Sequence, residues 1–195
     1  MFNFFKKKEQ HPENGLHTVF FKDGKKQSEI NYKDGMQNGQ ATSWHKNGQK
    51  AEEAITKNGE VEGNYSSWYD NGQMHEEYSM KDGKFIGHYI SWHKNGQVHI
   101  EGNYFIPGKE NGFWTTWDKK GRIENNEYFV HGFGLYDYDH VVTEKEVLED
   151  LKNLLKGDFG SGIKKGESLR KEYIPLIQMG IDELNKKLGN TKPVE

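Results

Sequence analysis

Trp44-His-Lys-Asn-Gly-Gln49, Trp68-Tyr-Asp-Asn-Gly-Gln73 and Trp92-His-Lys-Asn-Gly-Gln97 stand 24 residues apart. Phe20-Phe-Lys-Asp-Gly-Lys25 precedes them by another 24, and Trp117-Asp-Lys-Lys-Gly-Arg122 follows after 25. The extra residue falls in Ile106-Pro-Gly-Lys-Glu-Asn-Gly112. Self-similarity at a fixed period marks a repeat array rather than one large core. Five units are visible, and the outer two are degenerate, as terminal capping units tend to be.

Asn-Gly or Asp-Gly between alternating apolar residues is the strongest short-range hairpin signal. Each inner unit has two such sites, one after its Trp and one at Asp34-Gly35, Asn58-Gly59 or Asp82-Gly83. A unit is therefore two strands and two turns. Side chains on a strand alternate between faces, so parity sorts them. Val98, Ile100 and Tyr104 lie at even offsets from Trp92; Met74, Tyr78 and Met80 do from Trp68; Ile30 and Tyr32 do from Phe20. Pairing Trp92 with Val98 requires an odd loop, which selects a three-residue turn with a G1 bulge and puts Gly48, Gly72 and Gly96 in the left-handed conformation. The parity expectation is one face carrying Trp44, Trp68, Trp92 and Trp117 as the repeat core. The other face carries Glu29, Glu53, Glu77 and Glu101.

Composition agrees with thin, turn-rich β structure. Hydrophobic residues make up only 32 % of the 195 residues, yet 13 % are aromatic and 23 are glycine, too many rings for a disordered chain. The net charge of −3 comes from scattered charges, so no general field draws in nucleic acid, which is not an expected partner. With no cysteine there is neither a disulfide framework nor a thiol nucleophile. No apolar run approaches the ~18 residues of a membrane span. The basic cluster Lys6 to Lys8 follows rather than precedes Phe2, Phe4 and Phe5, unlike a signal peptide, so the expected location is cytoplasmic.

The Trp-x-x-Asn-Gly-Gln turn, the following Glu and the 24-residue period resemble the MORN-repeat variant of bacterial proteins of the YwqK antitoxin type. The resemblance covers roughly Val19 to Gly132. It implies a glycine-rich hairpin ladder that contacts proteins or lipids and has no active site, and the antitoxin label implies neutralising a toxin by direct binding. The fold expected is mainly β: an elongated antiparallel β-hairpin repeat array, MORN-like, of about five 24-residue units, with a short α-helical C-terminal tail. The segments expected are a lead segment at 1–18, the repeat domain at 19–138 and a helical segment at 139–195.

In the tail, Thr143-Glu-Lys-Glu146 is a capping-box pattern, followed by Val147, Leu148, Leu151, Leu154 and Leu155 at helical spacing. A second helix is expected from Ile174, with Pro175 in its first turn, through Leu176, Ile177, Ile181, Leu184 and Leu188 to Gly189 as C-cap. The two helices either pair and cover the β array, hiding an edge strand, or present the second stripe to a partner or a second copy.

Motifs for chemistry fail one by one. Gly157-Asp-Phe-Gly-Ser-Gly-Ile-Lys-Lys165 is not a phosphate loop, because Ile163 separates Gly162 from Lys164 and no Ser or Thr follows the lysine. His75 and His99 repeat two strands apart, about 9–10 Å at ~4.8 Å per strand, too far to share a zinc. No metal, cofactor or catalytic residue is expected. The expected function is a non-catalytic protein-binding module, neutralising a partner, in the antitoxin sense a cognate toxin, through His45, Tyr69, His93, Glu53, Glu77 and Glu101. The alternatives are a structural scaffold or membrane adaptor using the Phe/Lys cluster, and carbohydrate binding through exposed tryptophans. Self-association through edge strands or the C-terminal helices is a further possibility.

Overall fold

Two kinds of glycine turn fold the chain back on itself and set every later register. The computed structural model describes residues 13–130, 133–138, 143–155 and 174–189. The Phe2 to Lys8 cluster and the Gly157 to Lys165 segment lie outside them. The Asp34-Gly35, Asn58-Gly59 and Asp82-Gly83 pairs all have positive φ at both residues, for example 52° and 86° at Asn58 and Gly59, the two-residue turn whose twist matches the flanking strands. After each Trp the other kind occurs. Gly48 N–H donates to His45 O at 2.8 Å and His45 N–H donates to Gln49 O at 2.8 Å, enclosing three residues. Gly48, Gly72 and Gly96 there have φ of 90°, 85° and 86°, where a Cβ would crowd the backbone.

The described residues fall into two units, split between Gln97 and Val98. The first unit holds β1 (Gly15–Phe20), β2 (Lys26–Lys33), β3 (Met36–Trp44), β4 (Lys50–Lys57), β5 (Glu60–Trp68), β6 (Met74–Lys81) and β7 (Lys84–Trp92). Each pairs antiparallel with the next in chain order. The second unit holds β8 (Val98–Ile106), β9 (Lys109–Trp117), β10 (Ile123–Val130) and β11 (Phe133–Tyr138), again antiparallel in order, with α1 (Glu144–Leu155) and α2 (Ile174–Lys187). The chain is thus mainly β, a meander of hairpins with short C-terminal helices, as the spacing predicts.

The facing of the side chains differs from the parity expectation. Trp44 pairs with Lys50, but Ser43 pairs with Glu52, so Ala51 is an extra residue. The same shift makes His75 extra opposite Trp68 and Ser67, and Glu124 extra opposite Trp117 and Thr116. A one-residue bulge exchanges the two faces beyond it. Thr42 therefore pairs with Glu53, placing the glutamate on the tryptophan's side. The buried face of the first unit is instead built from Ile30, Ala41, Ala54, Tyr65 and Tyr78, none more than 6 % exposed. Tyr65 stacks on Tyr78 at 4.6 Å, and Phe85 meets Tyr78 edge-on at 4.9 Å. Such ring pairs add roughly 0.5–1.5 kcal/mol each beyond the area they bury. Trp44, Trp68 and Trp92 are half-buried on the other side and are not this core.

In the second unit, the capping box forms as the sequence predicts: Glu146 N–H donates to Thr143 Oγ1 at 3.3 Å and Thr143 N–H to Glu146 Oε2 at 2.7 Å. Gly189, with φ 69°, closes α2. Val147, Leu148 and Leu151 of α1 are buried, as are Ile177, Ile181 and Leu184 of α2. The two helices pack on each other, α2 also touches β10, and Asn111 donates to Glu183 at 3.1 Å. Most of the apolar stripe of α2 is thus spent inside the unit. Leu188 stays 37 % exposed. Among the described residues no helix is long and apolar enough to cross a membrane.

Candidate functional site

The turns that follow each Trp stack on one another, and this stacking uses the most recognisable residues of the repeat. Asn47 Nδ2 donates to Asp70 O at 2.5 Å, and Asn71 Nδ2 to Lys94 O at 2.9 Å. Each asparagine also accepts, through Oδ1, the N–H two residues ahead, at 3.0 Å from Gln49 and 3.2 Å from Gln73. Gln49 lies against Gly72, and Gln73 against Gly96, where a Cβ would come within about 3.0 Å and 3.2 Å. The degenerate first turn has Asp23, which cannot donate; Lys25 Nζ reaches Lys46 O at 3.2 Å instead.

The residue after each Trp joins the same stacking. His45 Nε2 lies 2.8 Å from Trp68 O, and Tyr69 OH donates to Trp92 O at 2.8 Å. The Tyr69 ring meets His75 at 4.6 Å, and His75 Nδ1 lies 3.2 Å from Ser67 Oγ. Ser67 pairs with Glu76 and with Glu52, so these rings sit on the tyrosine side of the sheet. His93 repeats the position and is half-buried.

Glu53 lies on the opposite side. It accepts from Lys50 Nζ at 3.0 Å and from Gln40 Nε2 at 2.8 Å, while Lys50 Nζ also stands 5.1 Å from the centroid of the Trp68 ring. The preceding unit repeats the arrangement with Lys26, Glu29 and Trp44. Glu77 is exposed on the same face, and Glu101 is exposed in the second unit. The six residues expected to form one surface are therefore divided. His45, Tyr69 and His93 stand on the tyrosine side, and Glu53 and Glu77 on the tryptophan side. The bulges at Ala51 and His75 cause the division, because parity counted straight through the turn misses them.

Sequence reading missed two carboxylates on the tyrosine side. Glu52 lies between Ser43 and Ser67, with its Oε2 buried and without a hydrogen-bond partner. Burial, and then the nearby Glu76 charge, push its carboxyl above the ordinary range. Glu76 accepts from Tyr89 OH at 3.3 Å. Burial is also the first cause that raises the phenols of Tyr65 and Tyr78, so both remain protonated donors. Among the described residues no three His, Asp or Glu side chains are grouped to hold a metal ion.

On the tryptophan side, Asn64, Glu77, Ser79, Ile86, Gly87 and His88 border an open cleft of about 260 Å³. It forms where β7 bulges: Glu77 pairs with Ile90, but Ser79 pairs with Ile86, so Gly87, His88 and Tyr89 stand opposite Tyr78 alone.

Comparisons with known proteins bear on this ladder. Among solved structures, the chain is similar to the crystal structure of accessory secretory protein 1,2 and 3 in Streptococcus pneumoniae, at 14 % identity and a TM-score of 0.33. The match covers 79 % of this chain but only 29 % of that one. No curated protein matches the chain. The profile of the MORN repeat variant matches residues 13–34, 37–58, 61–82 and 86–105. Four consecutive units of the ladder, between residue 13 and residue 105, are thus similar to MORN repeats of the variant type.

Proposed function

We propose that the chain is a non-catalytic protein-binding module of the antitoxin or immunity type, working in the cytoplasm and silencing one partner protein by direct contact. The observation that carries this reading is the composition of the tryptophan face. Half-buried Trp44, Trp68 and Trp92 recur there at a fixed interval, interleaved with Lys26, Lys50, Glu53 and Glu77. Among the described residues of the first unit no second layer covers it, and Ile55 beside Glu53 is 44 % exposed. Aromatic rings give contact area at small entropic cost, while flanking charges set orientation and association rate. Lysines lie over Trp44 and Trp68, so these rings do not offer the row of open faces that stacking on sugars would use.

The test is capture of the tagged chain from its host's lysate, followed by expression of the captured protein alone and together with this chain. Growth arrest by the partner alone, relieved by co-expression, supports the reading. Reversing charge at Glu53, Glu77 and Glu101 together should abolish both capture and relief. A harmless partner, or recovery only as a self-associated or membrane-bound species, would overturn it.

A further inference from the structure

The tryptophan face repeats one arrangement and then breaks it. Lys26 Nζ lies 2.5 Å from Glu29 Oε1 and 5.6 Å from the Trp44 ring centroid. One unit on, Lys50 serves Glu53 and Trp68 in the same way, at 3.0 Å and 5.1 Å. In each case one ammonium satisfies a carboxylate and an aromatic face together. Twenty-four residues beyond Lys50 the position holds Met74, although the glutamate and the tryptophan persist as Glu77 and Trp92. Met74 occupies the same register, paired with Trp68 as Lys50 is with Trp44. A thioether cannot neutralise a carboxylate. Among the described residues Glu77 has no ion pair or side-chain hydrogen bond, and it borders the 260 Å³ cleft with Asn64, Ser79 and His88.

We propose that Glu77, Trp92 and this cleft receive a lysine side chain from a protein partner, supplying in trans the cation that Lys26 and Lys50 supply in cis. The occupant's chemistry is read from the two complete rungs of the same ladder. Lysine's flexible stem lies along the apolar lining that Ile86 gives the cleft while its ammonium reaches the carboxylate. The proposal deepens the protein-binding reading and rests on it.

The test needs no natural partner. Lysine blocked at both its α-amino and α-carboxyl groups is titrated into the ¹⁵N-labelled full chain. Saturable shifts should centre on the Trp92 indole N–H and the amides around Glu77 and His88. Glu77→Gln should weaken this binding about fivefold, as expected for loss of an exposed ion pair beside a retained ring. Glu60→Gln, an equal charge change at the exposed first residue of β5, should not. Met74→Lys should fill the rung from within and abolish binding while the rest of the spectrum stays unchanged. Shifts spread evenly over exposed acidic residues, or insensitive to Glu77→Gln and Met74→Lys, would overturn the proposal. A chain that binds lysine here yet captures no growth-arresting partner loses only the antitoxin reading; a chain that neutralises a partner without this site loses only the lysine site.

Discussion

Asn71 joins one turn of the ladder to the next: its Nδ2 donates to Lys94 O at 2.9 Å while its Oδ1 accepts from Gln73 N–H at 3.2 Å. A carboxylate can do the second but not the first. Asn71→Asp should therefore keep its own turn and lose the connection, setting an oxygen against the Lys94 carbonyl. The expected cost is about 1 kcal/mol or somewhat more. Amide exchange should accelerate at Tyr69 to Gln73 and His93 to Gln97 and stay unchanged at Phe20 to Lys25, because repeat contacts are made between neighbours. Uniform acceleration would show that the turns do not act locally.

Tyr69→Phe makes a second, independent cut at the same junction. It removes the hydroxyl that donates to Trp92 O and leaves the ring on His75. A loss of roughly 0.5–1.5 kcal/mol in the unfolding free energy from urea denaturation is expected, the net worth of one hydrogen bond. Because that hydroxyl is committed inside the ladder, the same variant should leave partner affinity nearly unchanged. A tenfold loss of affinity with unaltered stability would put Tyr69 in the interface.

The period, both turn families, the hairpins and both helix ends were legible because each rests on a local rule. Asn58-Gly59 must turn, Thr143 with Glu146 must cap, and Gly189 must end a helix. The faces were not legible, because they depend on bulges at Ala51, His75 and Glu124, three unlike residues with no common preference. One extra residue per unit leaves the repeat length intact yet moves Glu53 to the tryptophan side and Glu52 to the tyrosine side. The sequence also marks Asn47 and Asn71 only as turn formers; their second hydrogen bonds join residues 23 positions apart, which no local pattern reports.

Glu52 should make the fold pH-dependent. Burial and Glu76 raise its folded-state pKa above the unfolded value, so its proton is held more tightly in the fold. Its contribution is fully present below the ordinary carboxylate range and is lost as pH rises through the folded value. Glu52→Gln keeps the shape without the charge. It should raise the urea midpoint at pH 7 and have little effect near pH 4. A variant less stable than the parent at pH 7 would mean that the carboxylate makes a favourable contact there.

Gly102 tests close packing in the second unit. It is buried, and the Trp114 indole occupies the space where a Cβ would stand, while Trp114 Nε1 donates to Asn103 O at 3.3 Å. Gly102→Ala must push the ring aside, breaking that bond and its edge contact with Tyr104 at 4.9 Å. A cost of about 1–3 kcal/mol is expected, as for overpacking elsewhere. The perturbation should be visible as a changed Trp emission maximum; an unchanged maximum and midpoint would mean that the ring has an equally good alternative position.

The helices give the last contrast, between two apolar residues of similar size near one helix. Ile177 is fully buried within the second unit, whereas Leu188, just past α2, is 37 % exposed. Ile177→Ala should cost about 2–5 kcal/mol, the transfer term plus the cavity left between the helices. Leu188→Ala should fall within about 0.5 kcal/mol, as ordinary surface substitutions do. If Leu188→Ala instead lowers the apparent mass in light scattering, the exposed end of the stripe joins two copies. If Ile177→Ala is mild, the helices are not packed on each other in solution.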